Sequence, residues 1–460
     1  MTDFVTQKIH LKFTGDERKL LMLLCFMAKN VHNAALYELR QCYFNTGGRI
    51  LKLETIIKRL ETKENYNYLG KEWSDYLIAN ARRALVMYAR NHSFDKTLKD
   101  DSKEANALKD FPHYFPKNGF HSFRSKGIKR DITKKYVILP IPLRVKDGSI
   151  FKDRINDSEL KDFMATLELN SAPEIKIKLT KNILSYPIPI VDICPEIYGR
   201  DFTASLVYPV NAKEPRPNLD DKILAIDLGV GNLMSCVTTE PAAFIIKGKK
   251  LKSIIRLYNK KIALYKSKLP FEEGSTSLQQ KSSKMLRALR KNANNKINDY
   301  LDKAVAILYK YVVAHGIRTV VIGWNYSFKE EVSKNDGDNT EIQQKIINQI
   351  VLQTPMGRLR DKIANKCHRY GINVEIVDEY DTSQKSFYDG DTFDNKIKSG
   401  KRVARGMYVT KNGQMVNADT NAALNILVKY AAKTGKALKR IEEIRKMPIL
   451  IPLGIEVKLD

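Results

Sequence analysis

Three acidic residues stand where the chain turns from one predicted element to the next. Asp227 closes the apolar run ILAI and opens DLGVGN, in which Gly229 and Gly231 allow a tight turn. Glu379 follows the apolar stretch INVEIVD, and Asp419 begins DTNAALNIL, where an acidic side chain suits a helix N-terminus. In an open α/β sheet the C-terminal ends of the strands gather on one edge, and ligands bind there. Carboxylates brought together on such an edge repel unless a cation sits among them. Mg²⁺ prefers oxygen ligands of this kind and accepts a phosphate as a shared ligand. Two such ions about 4 Å apart can activate water and stabilise the leaving oxygen in phosphodiester hydrolysis.

Each acid alone has a plainer reading. Asp227 could be a turn residue, Asp419 an ordinary N-cap, and Glu379 the partner of a nearby lysine. Together, in this order and on these elements, they point to a metal-dependent nuclease.

The charge balance supports a polyanionic partner. The chain carries 79 Lys+Arg against 52 Asp+Glu over 460 residues, a formal +27. Nucleic acid is the commonest partner for such an excess. A membrane surface is the rival, but no apolar run approaches the roughly 18–20 residues of a spanning helix, so no membrane is expected. The N-terminal MTDFVTQKIHLKF alternates like a strand and lacks the apolar core of a signal peptide. Five scattered cysteines without a C-x-x-C pair argue against a disulfide framework and a cysteine zinc site. They place the protein in a reducing compartment: cytoplasm, or nucleus in a eukaryote.

Between 247 and 310 there are 17 Lys+Arg against 4 Asp+Glu. Lys284, Arg287 and Lys291 fall three and four apart, on one helical face. That face is either solvated or grips phosphates. The stretch FPHYFPKNGFHSFRSKGIKR (111–130) interleaves aromatics with Lys and Arg. It suits base stacking and phosphate pairing, and equally a loop with packed aromatics.

The elements that must position these residues follow from periodicity. A strand is predicted at 5–13, helices at 16–44, 51–62 and 72–100, and strand-like pieces fill 135–210. KEPRPNLDDK (213–222) reads as a linker. After it come strand, Gly turn and strand, long helices over 251–314, a strand at 318–325 and a helix at 341–370. A strand at 372–380 and a helix at 417–433 complete the order, which suits an α/β sheet with an inserted helical arm.

AIDLGVGN, VVIGWNYSFK, DEYDTSQKSFYDGD and NADTNAALNI resemble, in order, the segments of the RuvC-like nuclease domain of TnpB proteins. These are transposon-encoded, RNA-guided DNA endonucleases related to type V CRISPR effectors and Fanzor proteins. The similarity is dense over about 221–430 and looser before it, where VHNAALYELRQCYF resembles the family's early recognition helix. The resemblance implies an α/β RNase H-like (RuvC) nuclease domain with inserted helices over 221–460. It also implies a β-barrel-like wedge module (1–15 and 112–220) split by a helical recognition domain (16–111). The partners it implies are a guide RNA from the transposon end and target double-stranded DNA beside a short flanking motif. The cofactor it implies is Mg²⁺, with Mn²⁺ as a possible substitute.

Two departures from the family pattern bear on the site. Most members end the strand matching VVIG in glutamate, the middle metal ligand; here that position is Gly323. Some members carry this glutamate on the next strand, where Glu379 falls. Asp378 is expected on the opposite face, and Glu330 and Glu331 are the further alternatives. The expected ligand set is therefore Asp227, Glu379 and Asp419. The second departure is the loss of both C-x-x-C pairs: Ser386, Asp389, Val409 and Asn412 stand in their places, so no zinc is expected. Residues 385–412 then form a metal-free lid, whose Lys401, Arg402 and Arg405 join Lys284, Arg287 and Lys291 as expected nucleic-acid contacts.

Two other functions compete. A nuclease-inactive RNA-guided DNA-binding protein would follow if Glu379 is not the middle ligand. An ATPase of the actin and sugar-kinase type shares the D-x-G turn, but it needs a second Gly-rich phosphate loop that NADTNAALNI lacks.

Overall fold

The computed structural model describes residues 2–94, 96–97, 108, 110–131, 135–196, 201–211, 222–268, 284–325, 348–404, 406–447 and 451–458. The chain divides into two compact units, Met1–Val210 and Asn211–Asp460. The linker reading of 213–222 lies outside the described residues, apart from Lys222.

The first unit holds β1 (Thr2–Leu11), β2 (Phe123–Lys126), β3 (Lys129–Asp131), β4 (Tyr136–Ile138), β5 (Lys176–Lys178), β6 (Ile190–Glu196) and β7 (Asp201–Asn211). They form one sheet in the order β1-β7-β6-β2 and a second in the order β3-β4-β5. A single apolar core runs through both sheets and the helices between them. Its centre is the helix Asp16–Asn45, buried along most of its length.

That helix corrects the expectation drawn from apolar runs. It is long and apolar enough to cross a membrane by length and composition, and 72% of its most apolar window is buried inside the unit. A helix apolar around most of its circumference is what a core position demands. Two cations lie deep on it: Lys29 is satisfied by Glu159 at 2.7 Å and the Lys117 carbonyl at 2.8 Å, and Arg40 donates to the Pro112 carbonyl at 3.0 Å. Several aromatic residues of 111–130 are packed as well, while His113 and Tyr114 are exposed. Phe111 and Phe123 are buried, His121 stacks on His32 at 4.4 Å, and Phe123 stacks on Trp73 at 4.6 Å. Of the two readings of that stretch, packing accounts for these rings.

The second unit is built on a six-stranded sheet. Its strands are β8 (Ile223–Leu228), β9 (Asn232–Thr238), β10 (Ala243–Lys247), β11 (Thr319–Trp324), β12 (Asn373–Asp378) and, late in the chain, β16 (Leu453–Ile455). A small antiparallel sheet of β13 (Lys401–Ala404), β14 (Met407–Val409) and β15 (Met415–Asn417) stands apart from it. The large sheet has the order β12-β11-β8-β9-β10-β16. β8, β9 and β10 form an antiparallel meander, and β11 and β12 add in parallel after helical crossovers. This mixed sheet is consistent with the RuvC-like expectation.

Period-2 alternation sorts the central strands onto two cores. Leu224, Ile226, Val320 and Ile322 face the helices Lys249–Ser267, Lys284–Ala314 and Met356–Arg369. Ile223, Ala225, Val321 and Val377 face the helix Ala418–Thr434. Both faces are covered, so β8 and β11 read as continuous apolar runs. The helix predicted over 341–370 is broken in the described residues at Thr354–Pro355, and Pro355 precedes the first turn of Met356–Arg369. Beyond residue 434, the helix Leu438–Lys446 buries Ile441 and Ile444, and β16 pairs with β10.

Candidate active site

The row of residues facing Ala418–Thr434 ends in the acids. On β8 the row runs Ile223, Ala225, Asp227; on β12 it runs through Val377 to Glu379. Ile322 pairs with Ile226 and Gly323 with Val377, so Asp227, Gly323 and Val377 lie side by side across three strands. Glu379 lies one pleat further along. β12 ends at Asp378, but the Glu379 N–H still donates to the Trp324 carbonyl at 3.3 Å. Asp378 is exposed and belongs to the alternate row.

The turn after Asp227 requires glycine. A β-carbon on Gly229 would stand 2.7 Å from the Asn232 carbonyl oxygen. Asn232, at the start of β9, is thereby brought to the acids and donates its Nδ2 to Asp419 Oδ2 at 2.7 Å. Asp419 is fixed from its own helix too. The Asn417 side chain caps the helix, accepting from the Asp419 and Thr420 N–H groups at 3.0 Å each.

The three carboxylates feel one another. Loss of solvation, then Glu379 and Asp419, push the Asp227 carboxyl well above the usual carboxylate range, while Arg402 pulls it down. Arg402 Nη2 lies 3.4 Å from Asp419 Oδ1. Among the described residues, the group of three whose ligand atoms all lie within 4.8 Å is His10, Glu196 and Asp201 in the first unit; the three site acids stand further apart than that. Asp419 is turned toward Asn232 and Arg402. Half-buried carboxylates on rigid elements, one raised by lost solvation and then by the other two, suit a divalent cation. A cavity of about 460 Å³ opens beside Glu379, lined by Leu228, Trp324, Asn325, Met356 and Arg358 among others.

The segment expected as a lid is a turn-rich knuckle leading into β13, β14 and β15. A buried ammonium stands at its centre: Lys385 donates to the carbonyls of Asn395 and Ile397 at 2.7 Å each. The Asp391 carboxylate accepts from the Ser386 and Ser399 N–H groups. At the positions of the missing thiolates, Asp389 accepts from the Lys411 N–H at 2.9 Å and its own N–H meets Ser386 Oγ at 3.3 Å.

The expected nucleic-acid contacts are distributed unevenly. Lys401 and Arg402 are exposed, and Arg402 reaches the acids. Arg287 and Lys291 share a face of Lys284–Ala314 but are half-buried, so the stripe is not an open solvated one. Lys284 opens that helix; Arg405, Glu330 and Glu331 lie outside the described residues. Sequence reasoning missed Asn232 and the pairing of Arg402 with Asp419, since neither contact leaves a local pattern.

Two family matches cover the site. Residues 205–327 match the OrfB_IS605 family, a probable transposase, and include Asp227 and Gly323. Residues 357–426 match the Cas12f1-like TNB domain and include Glu379 and Asp419. The chain is 24% identical over 443 residues to the TnpB-like protein ORF457 of Acidianus two-tailed virus, covering 92% of this chain and 86% of that one. Solved structures similar to it include the Cas12f1–sgRNA–target DNA complex, with 15% identity over 90% of this chain and 83% of that chain at a TM-score of 0.48. Another is the mini-RNA-guided endonuclease CRISPR-Cas_phi3, with 11% identity over 95% and 93% at a TM-score of 0.45.

Proposed function

We propose that this chain, a TnpB-type protein of the RNA-guided nuclease family, cuts double-stranded DNA beside a short flanking motif in a Mg²⁺-dependent reaction. The observation that carries the proposal is the convergence of Asp227, Glu379 and Asp419 from three separate elements onto one sheet edge, beside Arg402. Its partners in this reading are a guide RNA from the transposon end and the target DNA. Mg²⁺, when held by the three carboxylates, would activate water and neutralise charge developing on the scissile phosphate.

The residues themselves divide the work. Asp227 is set by two central strands, Asp419 by a capped helix, and Glu379 supplies the carboxylate that position 323 does not. Asn232 orients Asp419 through its Nδ2. Arg402, exposed and next to Asp419, is placed to meet a backbone phosphate at the same edge. Base pairing with the guide supplies sequence specificity, and the basic surface grips the heteroduplex by backbone and shape.

The test is cleavage of a randomised-flank plasmid library by protein co-expressed with its flanking locus, comparing wild type with Glu379→Gln. Cutting by wild type alone supports the assignment. Cutting by both moves the middle ligand to Asp378 or Glu330. No cutting by either, with RNA still bound, supports the nuclease-inactive binder instead.

A further inference from the structure

Glu379 has a positional problem that Asp227 and Asp419 do not. It lies one residue beyond the end of β12, and β12 is the outermost strand of its sheet. Beyond its one bond to the Trp324 carbonyl, a metal ligand there needs support from outside the sheet ladder.

The support comes from three side chains on Ala418–Thr434. Asn421, Asn425 and Lys429 are four residues apart and therefore share one face of the helix. Lys429 Nζ donates to the carbonyls on either side of Glu379, those of Asp378 at 3.1 Å and Tyr380 at 2.5 Å. Asn425 Nδ2 donates to the carbonyls of Thr382 at 2.9 Å and Lys385 at 2.7 Å. Asn421 donates to the Lys385 carbonyl at 2.7 Å and accepts from the Phe387 N–H at 3.1 Å. The turn itself is closed by Thr382, whose N–H and Oγ1 both donate to the Glu379 carbonyl.

The chemistry of these choices is informative. Asn421 and Asn425 are fully buried on a helix whose other buried residues are mostly Ala, Leu and Ile. Buried amides are poor helix formers and costly unless satisfied, so an apolar pair would be the cheaper way to pack this face. What the polar ladder adds is direction, because the three side chains together hold the backbone carbonyls of Asp378, Tyr380, Thr382 and Lys385. The same helix carries Asp419 in its first turn.

We infer that Asn421, Asn425 and Lys429 are positioning residues that set the distance and orientation of Glu379 relative to Asp419. This inference rests on the metal-site reading above. They touch neither metal nor substrate. They make one helix the common ruler for two ligands, which lets an acid at the end of an edge strand serve where a central strand has none.

The test uses the purified full chain with Mn²⁺ as the probe, titrated by electron paramagnetic resonance, together with hydrogen exchange of the 378–387 segment. Asp419→Ala defines the site-dependent Mn²⁺ binding. Lys429→Met and Asn425→Ala should each weaken that binding about tenfold, as loss of a residue that orients a ligand does. Exchange should rise in 378–387 and stay slow in 418–434. Lys429→Arg, which keeps a donor, should restore most of the affinity. Unchanged exchange in the 378–387 segment would overturn the ladder. Faster exchange with unaltered Mn²⁺ affinity would reduce these residues to a structural role and overturn the inference. If Asp419→Ala leaves Mn²⁺ binding at wild-type level, the metal-site reading itself is what fails.

Discussion

Ile426 occupies the space that a side chain on Gly323 would need. A β-carbon built on Gly323 would collide with Ile426 Cδ1 and come within 3.0 Å of its Cγ1. The bare sheet position and the isoleucine are therefore one packing feature seen from two elements. In the proposed site the third carboxylate is that of Glu379, just past the end of β12.

Gly323→Glu should accordingly be an overpacking mutation that also places a carboxyl against an apolar side chain. We expect a loss of about 1–3 kcal/mol, from the general cost of forcing atoms into a filled core. Ile426→Ala in the same chain should recover part of it by removing the collision. Urea unfolding of the two single variants and the double variant checks this; additive losses in the double variant would mean that the two positions do not interact.

The stacked histidines of the first unit predict an acid-labile core. Burial, then His121, lower the pKa of His32 to about 3, and burial lowers that of His121. Unfolded histidine takes up its proton near pH 6.5 while folded His32 does not, so stability is full above that pH and is lost as pH falls toward 3. At pH 5 the His32 contribution amounts to about 2 kcal/mol lost relative to pH 7. His32→Phe keeps a ring against His121 and should flatten the pH dependence by that amount in denaturant melts.

Lys385 should hold the knuckle together. Its ammonium is fully buried and satisfied by two carbonyls. Lys385→Met keeps most of the volume but leaves those carbonyls unpaired, at about 1–3 kcal/mol for each buried group stranded. Limited proteolysis should then cut within 385–400 while the six-stranded sheet stays intact.

Asn417 should matter to both helix and site. Asn417→Ala removes the cap that accepts from the Asp419 and Thr420 N–H groups, costing about 1 kcal/mol. Because Asp419 sits in that first turn, the Mg²⁺ concentration for half-maximal cleavage should rise as well. Asn417→Asp, a competent cap, should restore the stability.

What could be read from the chain beforehand follows the physics of each signal. Period-2 alternation put Glu379 rather than Asp378 on the face of Asp227, because a strand reports its two sides directly. The bare position at Gly323 was visible, but its filler was not, since Ile426 arrives from a helix a hundred residues later. The Asn421–Asn425–Lys429 ladder was also invisible: its acceptors are backbone carbonyls, which any sequence supplies. Lys284, Arg287 and Lys291 were correctly spaced for one helical face, yet spacing says nothing about what packs over it. Counting uninterrupted apolar runs concealed the character of Asp16–Asn45, because Lys29 and its neighbours break the run while the helix as a whole stays apolar.

The bond from Asn232 to Asp419 joins residues 187 positions apart. A ribosome that has finished the first carboxylate must still make the helical crossovers, β12 and the knuckle before the third emerges. Contacts of such long range form late, and a domain folds as a unit once its parts have left the exit tunnel. The nascent chain is therefore basic long before its acids can meet. Timing of synthesis keeps the three carboxylates apart until the rest of the fold is there to hold them.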